Sequence, residues 1–417
     1  MLRAFRIRAF VSTWCSYAGF YFCRKTFYVV KGDLTQELGL DAHTLANIGL
    51  VYLVAYAVGE FNAAAIGSRI GARRLLLAGM GISLACNAVF GFANNAWTFM
   101  AFMALNGLAQ ATGWSGNVGT MANWFRQAER GRVMGVWATC YQIGGALAKG
   151  FAAFILGVAG WRYSFWAASL VLTGVWFLFY ALQRNRPEDV GLAPISDTVT
   201  PRDDTPQASA AAPVTGFNRP LLVTILMMGS FYFFIKFIRY ALWSWTPYFL
   251  QLSFGLAHDN AGYFSTLFDL FGFVGVLAAG WASDRLFQGR RAAVAFMMMV
   301  GLFASTVMLY VAGAHALVAF GIAYSLTGFM LYGPDSLISG AGAIDVGSRK
   351  YALAAAGIIN GMGSVGSAVQ ELVIGNLFQE DPSDLTRIFL VLVLSAAIAT
   401  ALLALLWRRA RLGLCNL

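Results

Sequence analysis

Apolar runs of at least about 18 residues, the length a helix needs to cross a bilayer, recur along nearly the whole of this 417-residue chain and leave room for little else. Twelve can be drawn, at roughly 9 to 30, 45 to 66, 75 to 93, 97 to 121, 134 to 158, 163 to 182, 221 to 250, 261 to 282, 292 to 312, 315 to 337, 352 to 377 and 388 to 407. In hydrocarbon each backbone amide must be satisfied within its own segment or within a closed barrel, so apolar runs of this length are helices. With 59% hydrophobic and 12% charged residues an ordinary soluble domain is excluded. The expected fold is an all-α polytopic membrane protein.

The charges fix how such a chain is threaded. Arg3, Arg6 and Arg8 precede the first run as in a secretory signal, but no small-residue cleavage site follows a short apolar stretch, so the run reads as an uncleaved span. Most of the 29 Lys and Arg residues fall in the two tails and in every second connection, whereas only Lys31, Arg162 and Arg387 fall in the alternate connections. The positive-inside rule then places both termini in the cytoplasm, with the chain in a cell inner membrane. The net charge of +10 is a matter of topology and gives no reason to expect nucleic-acid binding.

The five cysteines lack metal-type spacing, and the histidines, His43, His258 and His315, all fall near loops. No metal or cofactor is expected, and no nucleophile, base and orienting group recur at catalytic spacing, so an enzyme is not expected either. Between Gln183 and Arg219 the composition turns to Pro, small polar and charged residues, which reads as a cytoplasmic linker. The expected organisation is a six-helix bundle over 1–183, a linker over 184–219 and a second bundle over 220–417.

Two cations inside spans carry the functional argument. Arg24, in Tyr21-Phe-Cys-Arg24-Lys25, and Arg239, in Lys236-Phe-Ile-Arg239-Tyr, lie 215 residues apart at matching places in the two halves. An intramembrane guanidinium is costly and marks a site by default. Tyr17, Tyr21, Arg24 and Tyr28 follow steps of four, three and four along one helical face, and Tyr232, Lys236, Arg239 and Trp243 repeat those steps. Arginine offers a planar fork to a phosphate and lysine a point charge, so these stripes suit a dianionic head group. The arginines would serve structure instead if they paired with Glu60, Asp269 or Glu371. A second echo, Ser68-Arg69 before Arg73-Arg74 and Asp284-Arg285 before Arg290-Arg291, recurs at nearly the same offset.

This arrangement resembles the major facilitator superfamily, which implies two pseudo-symmetric six-helix bundles around a central cavity and alternating access by rocking one half on the other. The Asn106 to Trp114 stretch, Asn123-Trp-Phe, Glu129-Arg-Gly, Trp137, Gly144-Gly145, Arg239 to Pro247, Phe268-Asp269, Tyr332-Gly-Pro334 and Gly357 to Gly366 are similar to the organophosphate:phosphate antiporters. The resemblance covers nearly the full chain apart from linker and tails. It implies that Arg24 and Arg239 bind the substrate phosphate, with Lys25, Tyr21, Tyr28, Lys236, Trp243 and Tyr141 around them.

Two departures stand out. Glu60 takes the place of a cavity lysine of the glycerol-3-phosphate transporters, and Tyr141 that of a histidine. Lys149 is a further cation within a span, so Glu60 and Lys149 either neutralise each other or Glu60 selects an amino- or hydroxyl-bearing substrate, with Asp269 as a third candidate in charge pairing. The expected activity is exchange of a small organophosphate, a sugar or glycerol phosphate, for inorganic phosphate by a monomer in the lipid bilayer. Two other activities fit the same residues: a membrane sensor of sugar phosphate signalling to a histidine kinase, and proton-coupled transport of an organic anion.

Overall fold

A computed structural model describes residues 1–126, 129, 133–134, 136–195, 219–287, 291–336, 348–378 and 384–412, and the regular structure there is helical. The centre of the expected linker, 196–218, lies outside the described residues, as do Arg130, Gly131 and Arg290 of the loop motifs and the side chains of Ser68, Asp284, Arg291 and Gly357.

The first half comprises α1 (Leu2–Val29), a short α2 (Lys31–Leu38), α3 (Ala42–Ile70), α4 (Ala72–Phe90), α5 (Ala96–Gln110), α6 (Thr112–Trp124), α7 (Thr139–Ala159) and α8 (Trp161–Leu182). The second comprises α9 (Arg219–Phe254), α10 (His258–Phe264), α11 (Thr266–Arg285), α12 (Arg291–Met308) with a π turn over Leu309–Gly313, α13 (Leu317–Ser336), α14 (Ser348–Leu377) and α15 (Asp384–Arg411). Two expected spans are each made of two helices separated by one residue, Ala111 between α5 and α6 and Ser265 between α10 and α11. The twelve expected spans are thereby all accounted for. Among the described residues nine meet a strict standard of length and apolarity. The spans of α1, of α5 with α6 and of α14 fall short, in α1 because Arg24, Lys25 and its serines lower the hydropathy.

Local chemistry starts the helices where the chain turns. Asp41 caps α3 by accepting the Thr44 amide at 2.8 Å, and these bonds with Thr44 hold its carboxyl below the usual carboxylate range. Asn95 caps α5 in the same way through the Thr98 amide at 2.9 Å. Large apolar side chains such as Leu170 and Val318 point outward, as a surface facing lipid tails requires.

Packing repeats between the halves. Helix α1 lies against α7 and α8, and its counterpart α9 lies against α14 and α15. Likewise α3 packs on α5 as α11 packs on α13, and α4 on α8 as α12 on α15. The halves meet along two equivalent seams, α3 against α14 and α7 against α10 and α11. The result is two pseudo-symmetric six-helix bundles whose first helices, bearing Arg24 and Arg239, both line the space between them.

Candidate functional site

Arg24 is 6% exposed, so its charge must be held by polar neighbours. Its Nε donates to Gln110 Oε1 at 2.9 Å, and the Tyr52 hydroxyl donates to the same oxygen at 3.1 Å. Gln110 Nε2 in turn donates to Ser83 Oγ and Asn106 Oδ1, while Asn87 and Asn106 donate to the Cys23 carbonyl beside Arg24. This buried network fixes both the backbone and the inner edge of the guanidinium. Helices α3 and α5 supply it by crossing closely: a Cβ at Gly107 would fall 2.5 Å from the Tyr52 carbonyl oxygen. The guanidinium carbon lies 4.9 Å from the ring centres of Tyr21 and Tyr56 and 5.8 Å from that of Tyr52. Its Nη2 is buried, with no hydrogen-bond partner among the described residues.

On the opposite wall Arg239 Nη1 donates to Asp335 Oδ2 at 2.8 Å, and the guanidinium sits 4.7 Å from the Tyr332 ring centre and 5.8 Å from that of Tyr141. Lys236, one helical step away on α9, donates to Asn360 Oδ1 at 3.0 Å and Ser364 Oγ at 3.3 Å on α14. The Tyr21 ring also lies 5.8 Å from Lys25 Nζ, whose ammonium meets Trp243 of the other half.

Above the arginines, toward the end away from the chain termini, the halves are joined by charge. Asp269 on α11 takes two lysines from the other half: Lys149 Nζ lies 3.0 Å and Lys25 Nζ 3.6 Å from its Oδ2, and the Tyr332 hydroxyl donates to Oδ1 at 3.0 Å. All three charges are at most 2% exposed. Lys149 Nζ also donates to the Ser265 carbonyl at 3.1 Å, the residue where α10 gives way to α11. Lys25 Nζ stands 3.4 Å from the Trp243 ring centre, and Trp243 packs on Tyr28 at 4.8 Å. Nearer the end, buried Lys31 lies 3.7 Å from Glu371 Oε2, with its ammonium 3.4 Å over Trp245, whose Nε1 donates to the same oxygen at 2.9 Å. Asp33 and His258 form a further pair at the rim.

The structure therefore links Arg24, Lys25, Tyr21, Tyr28, Trp243, Arg239 and Tyr141 through ring and cation contacts, with Lys236 one turn from Arg239 on α9, and departs from expectation in the pairings. Glu60 does not take Lys149, which Asp269 holds instead. Glu60 lies one turn beyond Tyr56 on α3, the face whose Tyr52 and Tyr56 rings meet Arg24. Lys149 and Glu60 face different spaces because α7 presents Lys149 to its seam with α11. The acid on Arg239 is Asp335, not Glu60, Asp269 or Glu371. Lys31, expected in a loop, is buried. Sequence reasoning missed Tyr52, Tyr56, Gln110 and Asp335 as partners of the arginines. A signal existed for two of them, since Tyr52, Tyr56 and Glu60 follow steps of four on α3.

The model of the Major Facilitator Superfamily matches residues 12–371. The chain is 29% identical to the glycerol-3-phosphate transporter of Bacillus subtilis, covering 96% of this chain and 92% of that protein. It is 26% identical to the membrane sensor protein UhpC of Salmonella typhimurium, covering 96% and 91%. Among solved structures, the peptide transporter POT in complex with sulfate superposes with a TM-score of 0.78 at 13% identity, over 98% of this chain and 96% of that one, a likeness of fold alone. These matches are to multi-pass membrane proteins of transport and sensing, not to enzymes. The chain belongs to the major facilitator superfamily, and within it to the organophosphate:phosphate antiporter family.

Proposed function

We propose that this protein exchanges a small organophosphate, a sugar phosphate or glycerol phosphate, for inorganic phosphate across a cell inner membrane, with both termini cytoplasmic. The observation that carries this reading is the pair of guanidiniums on equivalent faces of α1 and α9. One of them keeps a buried Nη2 with no partner among the described residues, the donor a phosphate oxygen would take. Arg239 is already neutralised in part by Asp335, so a phosphate arriving there shares or displaces that carboxylate. Tyr21, between the two, offers a hydroxyl to the same anion.

Exchange rather than one-way passage follows from electrostatics. With nothing bound, the two arginine-bearing halves repel as they close, whereas a dianion between them offsets that repulsion and lowers the barrier to switching. The bundles over 1–183 and 220–417 are the moving bodies in this account, and the linker over 184–219 tolerates their rocking. Proteoliposomes loaded with unlabelled phosphate should take up labelled phosphate, and sugar or glycerol phosphates added outside should compete. Absence of uptake by correctly inserted protein would exclude the antiporter.

A sensor is the second reading, favoured by the 26% identity to a membrane sensor protein over nearly the full chain. It predicts that the purified protein binds phosphate esters while liposomes containing it accumulate no label. The kinase partner of such a sensor would dock on the cytoplasmic face.

A further inference from the structure

The cations of the site are not alone: besides Asp335 on Arg239, the Arg24 half carries an acid, Glu60, where it can sort substrates. Tyr52, Tyr56 and Glu60 follow steps of four and so share a face of α3, and the rings of Tyr52 and Tyr56 meet the Arg24 guanidinium. Because α3 runs antiparallel to α1, Glu60 lies about 6 Å farther than Tyr56 toward the end that carries the chain termini. Lys236 lies about 4.5 Å from Arg239 in the same direction, since α9 runs toward the sealed end. Glu60 and Lys236 thus form a second tier beneath the two arginines, one on each half. Lys236 is already bonded to Asn360 and Ser364, both of α14, and Asn360 is exposed. Glu60 is half-buried, one turn along α3 from Tyr56.

Resting on the reading of Arg24 and Arg239 as the phosphate site, we infer that Glu60 is the specificity residue for the organic part of the substrate. A carboxylate accepts hydrogen bonds and repels anions. It therefore admits a phosphate monoester whose organic group donates hydrogen bonds through hydroxyls or an ammonium, and it rejects one carrying a second negative charge. Lys236 and Asn360 complete the tier as the donor and amide on the facing wall. A like charge placed within about 7 Å of Glu60 in a site of this polarity lowers affinity by roughly tenfold or more.

The test uses the purified full-length protein and competition against labelled phosphate at equilibrium, so that it reads binding whether or not transport occurs. Glycerol 3-phosphate and 3-phosphoglycerate form a matched pair that differs by a hydroxymethyl against a carboxylate, and phosphoethanolamine supplies the ammonium. The wild type should prefer glycerol 3-phosphate over 3-phosphoglycerate by roughly tenfold or more. Glu60→Gln should reduce that ratio to within a few-fold, and Glu60→Asp should retain it. Phosphoethanolamine outcompeting glycerol 3-phosphate, with the preference lost in Glu60→Gln, would identify the ammonium as the favoured donor. Equal binding of the matched pair by the wild type, or a ratio unchanged in Glu60→Gln, would overturn the inference while leaving the phosphate site standing. Failure of phosphate itself to bind would instead remove the underlying reading, and this one with it.

Discussion

Gln110 is the acceptor that pins Arg24, so replacing it tests whether the orientation of one side chain sets affinity for the anion. Gln110→Leu removes the partner of Arg24 Nε and of the Tyr52 hydroxyl. A hydrogen bond to a charged group contributes about 1.5 to 3 kcal/mol, so phosphate should bind about tenfold more weakly or worse in a direct binding assay. Unchanged affinity would mean that the network does not position the guanidinium. Asp269→Asn makes a sharper prediction about folding. It strands Lys25 and Lys149, both fully buried, and removing one side of a buried ion pair costs about 3 to 5 kcal/mol. The melting temperature in detergent should fall markedly, and adding Lys149→Gln should recover part of the loss; strictly additive losses would deny the pairing. At this scale the sequence exposed the stripes of α1 and α9, because helical period alone aligns Tyr21, Arg24 and Tyr28 or Lys236, Arg239 and Trp243. It did not expose their partners. Asp335 on Arg239, and Asp269 instead of Glu60 on Lys149, depend on which helices cross at which depth, and no local pattern encodes that.

At the scale of helices, the contacts that matter are the close crossings and the sealed end. A Cβ at Gly366 would lie 2.3 Å from the Phe233 carbonyl oxygen, so α9 and α14 approach at that point only because the residue is glycine. Gly366→Ala should force the two apart and cost about 1 to 3 kcal/mol, read as a lower melting temperature. The shift would also displace Lys236 from Asn360 and Ser364. The Lys31, Glu371 and Trp245 cluster joins α2 and α9 to α14 at the end away from the termini. Glu371→Gln should loosen that end, and a cysteine placed at Ala46, against Gly375, should react faster with a membrane-impermeant thiol reagent. An unchanged rate would show that the cluster is not a closure. The number and order of the spans were legible because apolar length is a strong signal. The one-residue breaks at Ala111 and Ser265 and the short helix α2 were not, since each stretch reads in sequence as continuous apolar chain or as loop.

For the whole molecule, the repeat of Arg24 and Arg239 in sequence becomes a repeat of packing, with α1 on α7 and α8 as α9 is on α14 and α15. The halves touch at one end through Lys31 with Glu371 and Asp33 with His258, and through Asp269 with Lys25 and Lys149 nearer the arginines. In the proposed exchange, switching would part those contacts while the arginines stay on a common anion. The most direct test is therefore labelled phosphate exchange by Arg24→Ala, Arg239→Ala and the two lysine replacements, in proteoliposomes matched for inserted protein. Loss of a charge-assisted contact in a desolvated site costs about 2 to 5 kcal/mol. Each alanine variant should lose exchange with insertion intact, and lysine, which keeps the charge but not the fork, should restore little. Near-normal exchange in either alanine variant would contradict the two-arginine site.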